Sequence, residues 1–462
     1  MKAHTAVSRT VFAGMALLTG FIPTLHADTS DDIQALREQI RQLDQKLRAL
    51  ELKQQARDEQ AAAAAKAAPK VSLTDKGFTL SSGDGANSIK LRGLVQLDSR
   101  LFFDDGGLVN NAFVLRRARL ISEGAFAKIY SFQLVTDFAG TGAPSILDAN
   151  LGVALNNALQ FKFGKFKSPV GLEWLQADSW TFFNERSLVT NLVPGRDLGI
   201  LASGSVFGDS VNYSAGIMGG VPDGATSNNT DFDNDKDVVG RVYVAPVKNA
   251  GVTPLQGLSV GVSGSLGREK TASGRTSGYK TDGQQTFFGY ASTVVADGQS
   301  WRVSPQGEYR YGPFGLLGEY VLSTVNIRPS ATGAKAELRN NAWQLAAGYV
   351  LTGEDSSYNG VTPRTNFDPA AGTWGAFEIV GRYANLKIDD DAFPLFASAS
   401  TNADEATSIG LGLNWYLSKV VLFKFDYFQT KFDFAPVALA VPAAVLLRQD
   451  EKALITRFQI SF

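Results

Sequence analysis

From residue 88 to the C-terminus, apolar and polar residues alternate with a period of two. Ile89, Leu91, Gly93, Val95 and Leu97 fall on one side, and Lys90, Arg92, Gln96, Asp98 and Arg100 on the other. That is the period of a β-strand standing between two different solvents. The rule recurs in Trp301, Val303 and Tyr309 against Arg302, Gln306, Glu308 and Arg310, and in Val421, Phe423, Phe425 and Tyr427 against Lys424 and Asp426. A soluble sandwich buries its inner face in a second sheet, where repeated charge is costly. Charge on the inner face of many strands therefore predicts an antiparallel barrel with lipid outside and water inside. Trp415, Tyr416, Tyr427 and the terminal Phe462 near strand ends fit interfacial girdles.

Strand counting from residue 88 gives about seventeen candidates, whereas a single-chain bacterial barrel with both ends on one side needs an even number. Short turns on one side and long loops on the other locate the surplus: Gln284–Val295 belongs to a long loop, roughly Arg268–Gln299. Sixteen strands remain, by the rule of even number. Gly312-Pro313 and Asp209-Ser210 make tight turns on the periplasmic side, and Thr352–Gly372 is a long periplasmic exception. The fold expected is all-β, a 16-stranded antiparallel transmembrane barrel over 88–462, preceded by a short α-helical coiled coil.

Residues 1–27 read as a secretory signal, with Lys2 and Arg9 before an apolar run and Leu25-His26-Ala27 at the cleavage site. Ile33, Leu36, Ile40, Leu43, Leu47 and Leu50 then follow spacings of three and four, the seam of a coiled coil over 28–66. Two or three strands both suit it, and an interfacial amphipathic helix is the other reading. An Ala-rich spacer ends at Pro69, and 67–87 reads as linker.

Composition narrows the chemistry. The chain has 46 Gly and 30 Phe in 462 residues but a mean hydropathy of only -0.06, as strands with one polar face require. There is no Cys, and both histidines, His4 and His26, lie in the expected leader. The mature chain would thus hold no Ser-His or Cys-His nucleophile, zinc site of the usual kind or disulfide. No cofactor and no metal are expected, and an enzyme would need a bare carboxylate pair. Loss of the leader's two basic residues leaves 42 against 45 acidic, about -3, so no bulk charge points to nucleic acid. The acidic DFDNDKD, Asp231–Asp237, lacks EF-hand spacing and reads as a solvated external loop, with divalent bridging to lipopolysaccharide as the other reading.

Candidate chemistry lies in bases aimed at the lumen. Arg117 and Arg119 in RRARL share one face, which cannot comfortably meet lipid, so Arg116 falls at an interface or subunit contact. Lys162 alternates with Phe161 and Phe163. Lys165 and Lys167 enter a loop of about thirty residues that contains Arg186, a length that folds inward and narrows a barrel. Arg92, Arg302, Arg310 and Arg382 complete the set of pore-lining candidates; solvated rim positions are the alternative for the loop bases. Such bases attract anions through charge-assisted bonds, while Asp98, Asp137, Glu308, Glu378 and Asp426 oppose them.

At RRARLISEG, GKFKSPVGLE, NERS, VGRVYVAP, SPQGEYRYGPFGLLGEYVLS, WGAFEIVGRYANL, GLNWYL and Phe462, in that order, the sequence resembles the phosphate-selective porins O and P of Gram-negative outer membranes. The resemblance implies a homotrimer of sixteen-stranded barrels, inward-folded loops, and a path of arginines and lysines for phosphate or polyphosphate. Lys165, Lys167, Arg268, Lys270, Arg275 and Lys280 lie in comparable regions. The partners then expected are outer-membrane lipid, lipopolysaccharide and small anions. A general or sugar-type diffusion pore, or an envelope tether touching the cell wall through the coiled coil, are the rival readings.

Overall fold

The computed structural model describes residues 29–103, 109–140, 142–231, 233–271, 278–435 and 450–462; the expected leader lies outside them. The described residues fall into two units, divided between Ala67 and Ala68. The first holds one helix, α1 (Thr29–Ala67), with Asp31 and Asp32 in its first turn, where they complement the helix dipole. It continues through the Ala-rich stretch expected to be a spacer, because Ala is the strongest helix former, and stops just before Pro69. Its seam residues Ile33, Leu36, Ile40, Leu43, Leu47 and Leu50 are all exposed.

The second unit is a closed barrel of sixteen antiparallel staves. These are β1 (Ser88–Phe102), β2 (Ala112–Phe126), β3 (Tyr130–Asp137), β4 (Ser145–Asn156), β5 (Leu159–Lys167), β6 (Arg196–Val206), β7 (Val211–Met218) and β8 (Asp237–Val244). They continue as β9 (Leu258–Lys270), β10 (Val295–Tyr311), β11 (Phe314–Arg328), β12 (Ala336–Val350), β13 (Ala376–Lys387), β14 (Glu405–Tyr416), β15 (Val421–Asp433) and β16 (Asp450–Ser461). Each pairs with the next, and β16 pairs with β1, so the ring has no free edge. At the seam, Phe462 and Gly93 exchange main-chain hydrogen bonds of 2.8 and 3.0 Å. The Phe462 ring occupies the place where a Cβ on Gly93 would stand, 2.6 Å away. Among the described residues no helix is long and apolar enough to cross a membrane.

The demoted segment is not a stave: Thr286–Phe288 forms a small ribbon with Tyr279–Lys280 inside the β9–β10 loop. Segment 67–87, expected as linker, holds a hairpin, Lys70–Thr74 and Gly77–Ser81. Its second strand pairs with Ser88–Leu91 of β1 just beyond the place where β16 ends.

Leu91, Leu97, Leu345, Ile379, Leu411 and Phe425 face outward and are exposed, whereas Gln96, Asp98, Arg302, Gln344, Asp426 and Arg457 face inward and are buried. The lumen is not simply wet, and the charges inside it meet protein as well as water. Loop residues Val189, Leu192, Phe287, Phe288 and Phe396 pack against inward-facing Leu338, Ala342, Ala384, Leu386 and Ala406. The side formed by β10 to β15 is therefore filled by an apolar core. Its inner positions alternate charge with Ala and Leu, and long loops supply the matching carbon, which a strand-by-strand reading does not show.

A second difference concerns Arg116. The β1–β2 register slips there, so that Gln96 lies opposite Arg117 and Leu97 opposite Leu115. The extra residue of this bulge turns Arg116 inward, where its guanidinium meets Glu185 at 2.6 and 2.9 Å. It does not reach the interface expected from strict alternation.

Candidate functional site

Residues 168–195 leave β5, cross the lumen and return to β6, opening with one turn of helix, Leu172–Leu175. Charged side chains of the staves fix this loop. Glu319 on β11 accepts the N–H groups of Leu172 and Glu173 at 2.6 and 3.3 Å, satisfying donors that a helix start leaves open. Arg457 holds Glu185 at 3.0 Å and Asp98 at 2.6 Å, and Arg100 adds a contact to Glu185 at 3.2 Å. Asp178 receives three guanidiniums: Arg117 at 3.2 Å, and Arg119 and Arg186 through direct hydrogen bonds. Burial opposes the charge on Asp178, but Arg117, Arg186 and Arg119 outweigh it and hold the carboxyl well below the usual carboxylate range. Glu185 is lowered likewise, against burial, by Arg116 and Arg457.

The candidate bases divide by what they touch. Arg302 is buried among Asp223, Glu269 and the Val221 carbonyl. Arg310 bonds Glu308 and Ser356, and Arg382 bonds Glu173, Asp282 and the Glu185 carbonyl. Lys165 gives its ammonium to Ile146 O, Ser227 O and Asn229 Oδ1, and Lys167 to Trp174 O and Gln176 O. Arg186 binds the Glu173 and Gln176 carbonyls and stacks on Trp174. In each of these the charge is spent on fixing a loop.

Arg92, Arg119, Lys162 and Arg196, joined by Lys167, line one cavity of about 690 Å³ on the β1 to β8 side, which runs from the crossing loop to the turn end of the barrel. Lys76 of the hairpin, Lys90, Arg241 and Lys419 also line it, making nine basic residues against three acidic, Asp75, Asp148 and Asp178. Lys90 and Arg92 share Glu123 at 3.3 and 2.8 Å, and Lys419 meets Asp75 at 2.7 Å. Among the described residues, Lys162 and Arg241 form no ion pair. Lys162 lies 5.5 Å from the Phe166 ring centre, and Arg241 lies 4.3 Å from that of Tyr243 and bonds Gln306 at 3.1 Å.

A second loop meets the first. Residues 351–375 start from the turn end, and Tyr358 there donates to Leu172 O at 2.7 Å while Gln176 donates to Tyr358 O at 2.8 Å. Sequence reasoning missed Arg241, Arg457, Asp178, Glu185 and Arg116. Arg241 and Arg457 carried a legible signal, an inward position in an alternating strand; the loop carboxylates carried none. In the acidic loop Asp231 pairs with Lys236 at 2.8 Å, and among the described residues no group of carboxylates is placed to hold a metal ion.

The family model of phosphate-selective porin O and P matches residues 89–462. Porin O of Pseudomonas aeruginosa is 25% identical over 391 residues, covering 78% of this chain and 86% of that protein. The outer membrane channel DcaP of Acinetobacter baumannii has the same fold, with a TM-score of 0.53 at 12% identity over 84% of this chain and 99% of that one. Outer-membrane expressed OmpT of Vibrio cholerae gives 0.51 at 14% identity over 82% and 98%.

Proposed function

Because the chain belongs to the phosphate-selective porin O and P family, an outer-membrane porin family and not an enzyme family, we propose that it passes small anions passively, with phosphate or polyphosphate as the first candidate. The observation that carries this reading is the cavity with nine basic residues and three acidic ones. A narrow, low-dielectric passage focuses such an imbalance, and the near-neutral charge of the whole chain does not cancel it. Lys162 and Arg241, unpaired among the described residues, supply bonds an anion can take without displacing a carboxylate. The ion-paired Arg117, Arg302, Arg310 and Arg382 hold the loops that set the width of the passage.

The turn end, with both barrel termini, is the periplasmic end under the rule that turns there are short. We also propose a homotrimer. The family resemblance supports it, and so does the row of exposed seam residues on α1, which self-association would cover.

Single-channel recording in planar bilayers tests the reading. A KCl gradient should give an anion-selective reversal potential, and added phosphate should block the chloride current saturably. A pore that is cation-selective or indifferent to phosphate would refute the phosphate assignment.

A further inference from the structure

We propose that the cavity also takes organic anions with an apolar body, of which an aromatic carboxylate is the simplest, in preference to aliphatic anions of the same charge and head group. This rests on the anion-pore reading above. The observation behind it is a break in the polar-inside rule that β-strands of a water-filled barrel follow. On five of the staves β1 to β6 an inner position, Leu94, Ile121, Val135, Phe166 or Leu201, is apolar and lines the cavity, β4 contributing Asp148 instead, and Trp180 of the crossing loop joins them. Met218 and Val239 back Phe166 and Leu201, so this part of the wall is packed carbon.

The apolar wall adjoins Lys162, which forms no ion pair among the described residues. Leu201 is the direct cross-strand neighbour of Lys162, and the Phe166 ring lies beside the same ammonium. A small aliphatic anion such as acetate gains little from carbon at that position. An anion whose charged head meets Lys162 or Arg241 while a ring lies on Phe166, Leu201 and Trp180 uses both halves of the wall. The volume of about 690 Å³ accommodates such a molecule. Carbon needed only to seat the crossing loop would not have to extend to Leu201 beside Lys162.

Acetate and benzoate carry the same charge and head group and differ by the ring, so they isolate the apolar contribution. Each is titrated against the chloride current of the full-length protein in planar bilayers, with inorganic phosphate alongside, after the KCl reversal potential has been read. Burial of one ring face corresponds to benzoate blocking at about tenfold lower concentration than acetate. Leu201→Gln, which keeps size and charge, should narrow that ratio to about twofold, and Phe166→Leu should narrow it less. An anion-selective wild-type pore in which benzoate and acetate block alike overturns this inference and leaves the anion pore intact. A pore without anion selectivity overturns both.

Discussion

At the scale of single residues, pairing separates the charges that conduct from the charges that hold. Lys162 has no ion pair among the described residues and lines the cavity, so Lys162→Glu should move the KCl reversal potential toward zero while leaving stability within about 0.5 kcal/mol. Glu185 is the opposite case. Its loss leaves Arg116, Arg457 and Arg100 facing one another without their shared carboxylate, and Glu185→Ala should cost about 3–5 kcal/mol in chemical unfolding of the barrel. Because Asp178 and Glu185 are both held below the usual carboxylate range, their stabilising effect is present above the unfolded value near pH 4. It is lost only as pH falls through the lower folded values. Unfolding free energy in the single variants Asp178→Asn and Glu185→Gln should therefore fall short of wild type by a constant amount from about pH 7 down to about pH 5.

At the scale of elements, two loops from opposite ends meet in the lumen, and glycine makes one close approach between them possible. Gly360 has φ +83°, and a Cβ there would stand 2.3 Å from the Trp180 ring. Gly360→Val should strain the backbone and push residues 351–375 off the crossing loop, a cost of about 1–3 kcal/mol that appears as a larger single-channel conductance. An unchanged conductance would show that the two loops bear on the passage independently. The β1–β2 bulge is a smaller device with a larger result: one additional residue brings Arg116 onto Glu185 and ties the first hairpin to the loop. The staves, the tight turns at 207–210 and 312–313, and the demotion of 284–295 were legible because period two, glycine and strand parity are local or countable properties. The bulge was not, since the sequence RRARL alternates equally well in either register.

At the scale of the whole molecule, the barrel is divided lengthwise, with an apolar core on the β10 to β15 side and a basic cavity on the β1 to β8 side. The chain has no Cys, so engineered cysteines report the division cleanly. A cysteine at Lys162 or Ser214 should react with a water-soluble thiol reagent, and one at Leu338 or Ala384 should stay protected. Equal reactivity at all four would contradict the division. By itself the sequence determined the closed sixteen-stranded barrel, the helix before it, the facing of the regularly alternating staves, and an inventory without histidine or thiol chemistry beyond the expected leader. These follow from short-range periodicity and from composition, which need no partner to be read. Only the tertiary structure decided which charges remain available to a solute, because that depends on carboxylates carried by loops. Asp178 and Glu185 lie some sixty to seventy residues from Arg119 and Arg116, and Glu185 more than 270 from Arg457. Loop closure over such distances is set by what the whole barrel can bury, and no local pattern encodes it.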